Sequence, residues 1–194
     1  MKKIIGLFKF LEGNEIIRRY IIMNSFDGAL TVLGIVIASF FGGITEPRLV
    51  VLPAFGAAVA LLISGVWSAY IAEKAEVKKS VKKMEKHLMN NLDGTKYSER
   101  KHKMANIISL INGISPLLVV LTITSPFLVA NYNSLPMHQA YLISFGLTAV
   151  LVFALGAFAG RIAKENRVIH GFKMLGAGVL IGFIFYILLI VGLL

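Results

Sequence analysis

Apolar residues arrive in five long runs separated by four polar connections of very unequal charge. A helix that crosses a bilayer needs about 20 largely apolar residues. Tyr20–Ile44, Val50–Ala72, Ile107–Ala130, Ala140–Ala159 and Phe172–Leu194 all meet that length. The pattern predicts an all-α integral membrane protein with five transmembrane helices, forming one transmembrane domain over residues 1–194. Thr45, Glu46, Pro47 and Arg48 make a short turn between the first two spans. Pro53 is expected in the first turn of the second helix, where a missing N–H is tolerated. Pro116 and Pro126 fall inside the third span and predict a kink or a break.

The one sizeable polar connection is residues 73–104. Val77, Val81, Met84 and Leu88 recur at spacings of four, three and four, so the second span should continue as a helix with one apolar stripe. Lys78, Lys79, Lys82, Lys83 and Lys86 cover its other sides. Asn90, Asn91, Leu92, Asp93 and Gly94 read as a turn, and residues 97–104 return to the third span. The expected result is a short helical hairpin, too small to be a separate domain. At the other end, Ile4–Leu11 with Lys2, Lys3 and Lys9 reads either as an interfacial anchor helix or as a plain flanking tail.

Charge gives the orientation. Lys2, Lys3, Lys9, Arg18 and Arg19 precede the first span, and Arg48 alone follows it. The hairpin carries ten lysines and arginines, the connection around Asn131–His138 none, and the fourth connection Arg161, Lys164, Arg167 and Lys173. Basic loops face the cytoplasm, so the chain reads as N-terminus in, C-terminus out, with a cytoplasmic hairpin between helices 2 and 3. Composition agrees. The 194 residues are 57% hydrophobic with a formal charge of +10, and mean hydropathy is +0.77. That charge, set beside so much apolar sequence, points to a membrane face and its lipid; no nucleic-acid partner is expected. No cysteine is present, which excludes disulfides, thiolate ligands and cysteine nucleophiles. The first apolar run is long and lacks a convincing cleavage pattern, so it is expected to be retained. No phosphate loop, zinc-protease helix or GxSxG motif occurs, and the chain is not expected to be an enzyme or to hold a resident cofactor.

Asp27 is the outstanding residue. A carboxylate within a span costs about 3 kcal/mol on insertion scales, so it normally has a partner or a wet path. Asn24 at i−3 and Thr31 at i+4 share its helix face. Hard oxygens on one face suit a divalent cation or a proton relay. The alternative is a structural lock, with Asp27 bonded to Asn112 or Ser115 of the third span. Glu73 and Glu76, at i,i+3 where the second span ends, and Glu85 further along could collect cations, or could simply balance lysines. His87 and His102 share the hairpin and could meet across its turn. No HxxxH or HExxH pair exists among His87, His102, His138 and His170. Gly146, Gly156, Gly160, Gly171, Gly176, Gly178 and Gly182 supply close-packing positions, and Gly178–Gly182 is a GxxxG match that fits either a dimer seam or an internal contact.

Taken together these features resemble the vacuolar iron transporter family in its short prokaryotic form. Asp27-Gly28-Ala29-Leu30-Thr31-Val32-Leu33-Gly34 is similar to the family's first-span Asp-Gly-Leu-Val-Thr-Thr-Leu-Gly. Ser64–Tyr70, Phe153–Arg161 and Gly171–Gly178 resemble the end of its second span, the end of its fourth and the start of its fifth. The resemblance implies a homodimer that exports ferrous iron, and often manganese, from the cytoplasm in exchange for protons, with Asp27 on the path. It also implies metal binding by cytoplasmic Glu-x-x-Glu pairs, of which Glu73 and Glu76 would be the remnant and Glu85 a third candidate. The chain departs from the family pattern at two positions: Gly65 stands for a methionine and Ala69 for a glutamate.

The expected function is transport of a divalent cation, Fe2+ or Mn2+, coupled to protons, in a prokaryotic plasma membrane. Two alternatives stand beside it. One is transport of a non-metal substrate, which the changes at Gly65 and Ala69 favour. The other is a non-transporting membrane protein whose basic hairpin binds anionic lipid or a partner.

Overall fold

The computed structural model of the chain describes residues 15–92, 94–132 and 135–192. Among these residues five helices occur: α1 Glu15–Phe41, α2 Pro47–Leu88, α3 Lys96–Ala130, α4 Met137–Ala163 and α5 Arg167–Ile190. Each is long and apolar enough to cross a membrane, which gives the chain the make-up of an integral membrane protein. The helix expected over Ile4–Leu11, Asp93 of the expected turn and the last two residues of the fifth span lie outside the described residues.

Helix ends follow local chemistry more than hydropathy. α1 stops at Phe41 rather than Ile44, because Gly43 adopts φ +65° and turns the chain. The Gly42 and Ile44 amides close that turn on the carbonyls of Ala38 and Ser39 at 2.9 and 3.0 Å. α2 starts at Pro47 rather than Val50, so Pro53 lies in its second turn and not its first. α2 has 42 residues and is therefore about 63 Å long, twice the roughly 30 Å of a hydrocarbon core. α3 runs from Lys96 to Ala130 with both prolines inside it, so of the expected kink or break no break occurs. Pro126 has no N–H for the Thr122 carbonyl four residues back, and the Ser125 hydroxyl donates to that carbonyl instead at 2.8 Å. α5 begins at Arg167, five residues before the expected start. Asn166 caps it, its side-chain oxygen accepting from the amides of Val168 and Ile169 at 3.0 and 3.4 Å.

The chain divides into two compact units. The first comprises, of the described residues, 15–24, 62–92 and 94–115. Here α2 and α3 cross closely: a Cβ on Gly65 would stand 3.0 Å from Gly113 Cα, and one on Gly113 would stand 2.5 Å from the Leu62 carbonyl oxygen. Beyond the crossing, Val77 and Val81 pack on Ala105, with Leu92 and Tyr97 against them. The predicted apolar stripe is thus half used. Met84 and Leu88 stay exposed.

The second unit comprises, of the described residues, 25–61, 116–132 and 135–192. Ala29, Val32, Ala54, Ala58, Val120, Ile123 and Val152 form one cluster, where the three alanines let backbones approach. A neighbouring cluster joins Val36, Val50, Phe127, Ala130, Ala140 and Tyr141. The Tyr141 hydroxyl donates to the Ile44 carbonyl at 2.9 Å. Its ring meets Phe40 and Phe127 edge-on, with centroids 5.3 and 5.1 Å apart. α4 and α5 meet through glycines: a Cβ on Gly156 would lie 2.5 Å from the His170 carbonyl oxygen and 2.8 Å from Gly171 Cα. In the GxxxG pair, Gly178 faces only a Leu33 methyl at 3.3 Å, and Gly182 has no neighbour within 4 Å. A side chain at Gly182 would therefore stand in open space among the described residues.

Candidate functional site

Asp27 lies on α1 within the second unit, and its side chain is exposed. The reason is its neighbour. Gly28 is buried against α3, where a Cβ would come 2.9 Å from Pro116 Cβ and 3.0 Å from the Pro116 carbonyl oxygen. Ala29 and Val32 are fully buried on the same side. With about 100° between successive residues, that packing turns Asp27 and Thr31 to the opposite, open face. The Thr31 hydroxyl donates to the Asp27 backbone carbonyl at 2.7 Å and keeps its oxygen lone pairs. Among the described residues the Asp27 carboxylate has neither hydrogen bond nor ion pair. The lock expected through Asn112 or Ser115 does not involve it; the Ser115 hydroxyl donates to the Ile111 carbonyl at 2.6 Å.

Asn112 does lock a helix, by way of Asn24. Within the first unit Asn112 is 4% exposed. Its amide nitrogen donates to the Gly65 carbonyl at 2.7 Å, and its amide oxygen accepts from the Asn24 side chain. Asn24 also donates to the Tyr20 carbonyl at 3.0 Å. A chain of amides therefore ties α1, α3 and α2 together, and every link replaces a hydrogen bond that water cannot supply in a membrane. Asn24 was expected to offer an oxygen beside Asp27. Its amide nitrogen is committed to holding helices, and its amide oxygen takes part in neither of these bonds. Sequence reasoning missed this role, although an Asn-Gly pair inside an apolar run was its visible sign. The same geometry bears on Gly65. A Cβ there would stand 3.0 Å from Gly113 Cα and 3.2 Å from the Asn112 carbonyl oxygen, so a methionine would need α2 and α3 to move apart by a few tenths of an ångström. Ala69 is likewise buried.

The three glutamates do not converge. Glu73 and Glu76 line one cavity of about 220 Å3, shared with Lys101 and Met104. Glu73 accepts a hydrogen bond from the Tyr20 hydroxyl at 3.1 Å. Glu76 lies 3.7 Å from Lys79, with both side chains open to solvent, where such a pair contributes little. Glu85 is elsewhere, its carboxylate accepting from the Leu92 amide at 2.9 Å to fasten the turn. Among the described residues no group of three or more His, Asp or Glu side chains is placed to hold a metal ion. His87 and His102 line separate cavities. His170 of α5 bonds Glu165 of the α4–α5 connection at 2.6 Å. That hydrogen bond, followed by the charge of His170, lowers the Glu165 carboxyl below its ordinary range.

An uncharacterized protein of Methanocaldococcus jannaschii is 29% identical over 173 residues, covering 88% of this chain and 87% of its own length. No family model matches the chain. No solved structure matches it significantly.

Proposed function

We propose that the protein is a membrane transporter that moves a divalent cation, Fe2+ or Mn2+, out of the cytoplasm in exchange for protons. The observation that carries this reading is the exposed Asp27 carboxylate midway along an apolar helix, unpartnered among the described residues. Left in lipid, it costs about 3 kcal/mol or more. A wet path, a bound cation or proton, or a second copy of α1 removes that cost. The carboxylate takes cation and proton in turn, and Thr31 adds a neutral oxygen beside it. The motif resemblance around Asp27–Gly34 supports the same assignment.

The charge pattern orients the chain with its N-terminus in the cytoplasm and its C-terminus outside. The charged ends of α2 and α3 then form a cytoplasmic hairpin, on which Glu73 and Glu76 share a cavity and meet cations before entry. A homodimer through α1 brings two Asp27 faces together. The compact connections favour a prokaryotic plasma membrane. The test is Fe2+ and Mn2+ flux into proteoliposomes under an imposed pH gradient. Flux that follows the gradient supports the reading, and absence of flux for both ions overturns it.

A further inference from the structure

The charged end of α2 carries lysines with very little to pair them. Lys78, Lys79, Lys82, Lys83 and Lys86 are all exposed. A solvated lysine face alone would need no explanation, but three lysines of this helix also share a cleft. Lys74, Lys78 and Lys82 follow at i, i+4 and i+8, a single row down one helix face, about 6 Å apart along the axis. With Ser98 and His102 of α3, themselves one turn apart, they line a cleft of about 360 Å3. Buried Val81 also lines the cleft.

Among the described residues no carboxylate forms an ion pair with Lys74, Lys78 or Lys82. Glu85 reaches the cleft, but one of its oxygens is engaged by the Leu92 amide. Lys74 is preset: its ammonium lies 4.3 Å from the centre of the Tyr70 ring and bonds the Tyr70 hydroxyl. Like charges one turn apart repel, a cost that an anion in the cleft would remove. Three ammonium groups spread over about 12 Å of helix exceed the reach of one phosphate. The hydroxyl of Ser98 and the imidazole of His102 suit phosphate oxygens.

We propose that this cleft binds an anion bearing two or more phosphate groups. The proposal does not rest on the transport reading, since it concerns neither α1 nor a cation. The amphipathic-surface alternative fits less well. Val77 and Val81 are packed inside the hairpin, so half the stripe that would enter lipid is already covered. The phosphates could belong to a lipid headgroup, reached by Lys74 near the end of the second apolar run, or to a soluble di- or polyphosphate.

The test uses the full chain in phosphatidylcholine nanodiscs, titrated calorimetrically with inorganic pyrophosphate. Saturable binding is expected. The double variant Lys78→Gln, Lys82→Gln should weaken it by at least about tenfold, since two charge-assisted bonds are lost. Lys79→Gln, Lys83→Gln removes the same charge from outside the cleft and should change it by less than about twofold, because solvent screens such charges. No saturable binding, or equal loss in both variants, would overturn the proposal. Repeating the titration with one lipid in five replaced by cardiolipin separates the sources. Displacement of pyrophosphate supports the site with a lipid headgroup in it, and undisturbed binding supports it with a soluble anion.

Discussion

Gly28 and Pro116 pack backbone against ring where α1 meets α3: a side-chain carbon on Gly28 would stand 2.9 Å from Pro116 Cβ. Neither partner can give way, since one is backbone and the other a fixed ring. The contact fixes which side of α1 is buried and so leaves Asp27 on the open one. Gly28→Ala is expected to destabilise the protein by about 1–3 kcal/mol through overpacking. Gly34→Ala, on the same helix with nothing within 4 Å, should instead gain about 0.5–1 kcal/mol from helix propensity. Thermal unfolding in detergent micelles compares the two; equal effects would contradict the close contact.

Asn112 holds two helices at once. Asn112→Ala removes the side-chain bonds to the Gly65 carbonyl and from the Asn24 amide, which keeps its bond to the Tyr20 carbonyl, and should cost about 1–2 kcal/mol. A double-mutant cycle with Asn24→Ala should return a coupling of about 0.6–1.7 kcal/mol. A coupling of zero would mean that the amide chain does not form.

Glu73 and Glu76 share a cavity and Glu85 lies outside it. Glu73→Gln with Glu76→Gln should weaken Mn2+ binding by the full-length protein, measured by calorimetry, by at least about tenfold, since two charged oxygen contacts are lost. Glu85→Gln should leave the affinity unchanged and loosen the turn at Leu92. The reverse order of effects would remove the paired glutamates from any role with cations.

The Glu165–His170 contact gives a pH dependence of known sign. The Glu165 carboxyl is lowered in the folded chain, so the contact stabilises above the ordinary glutamate range and is lost as pH falls through the folded value. His170→Ala should therefore raise the Glu165 titration toward that of an ordinary glutamate, as read by NMR. The variant and wild type should converge in stability at low pH, where Glu165 is protonated in both. A Glu165 titration unmoved by the substitution would contradict the assignment.

Much of this was legible in the sequence. Five apolar runs gave five helices because a spanning segment has a required length. Gly42, Gly43 and Asn166 marked ends that hydropathy alone placed three and five residues off. The rotation of α1 was not legible. Its apolar residues surround it, so periodicity carries no signal for the buried side, and Asn112 was matched to Asp27 when it bonds Asn24. The unbroken course of α3 was also hidden, since it depends on the Ser125 hydroxyl accommodating Pro126. Gly65 looked like a lost ligand and is a helix crossing. The separation of Glu85 from Glu73 and Glu76 needed the turn bond to Leu92.

The most direct measurement is Fe2+ and Mn2+ flux in proteoliposomes under a pH gradient, wild type beside Asp27→Asn. The substitution keeps the size of the side chain and removes its charge, on a face with no protein partner among the described residues, so the fold should persist by circular dichroism. Loss of flux by at least about a hundredfold is expected, since the coordinating charge is gone. Wild-type flux in Asp27→Asn would contradict the assignment of the cation and proton path to α1.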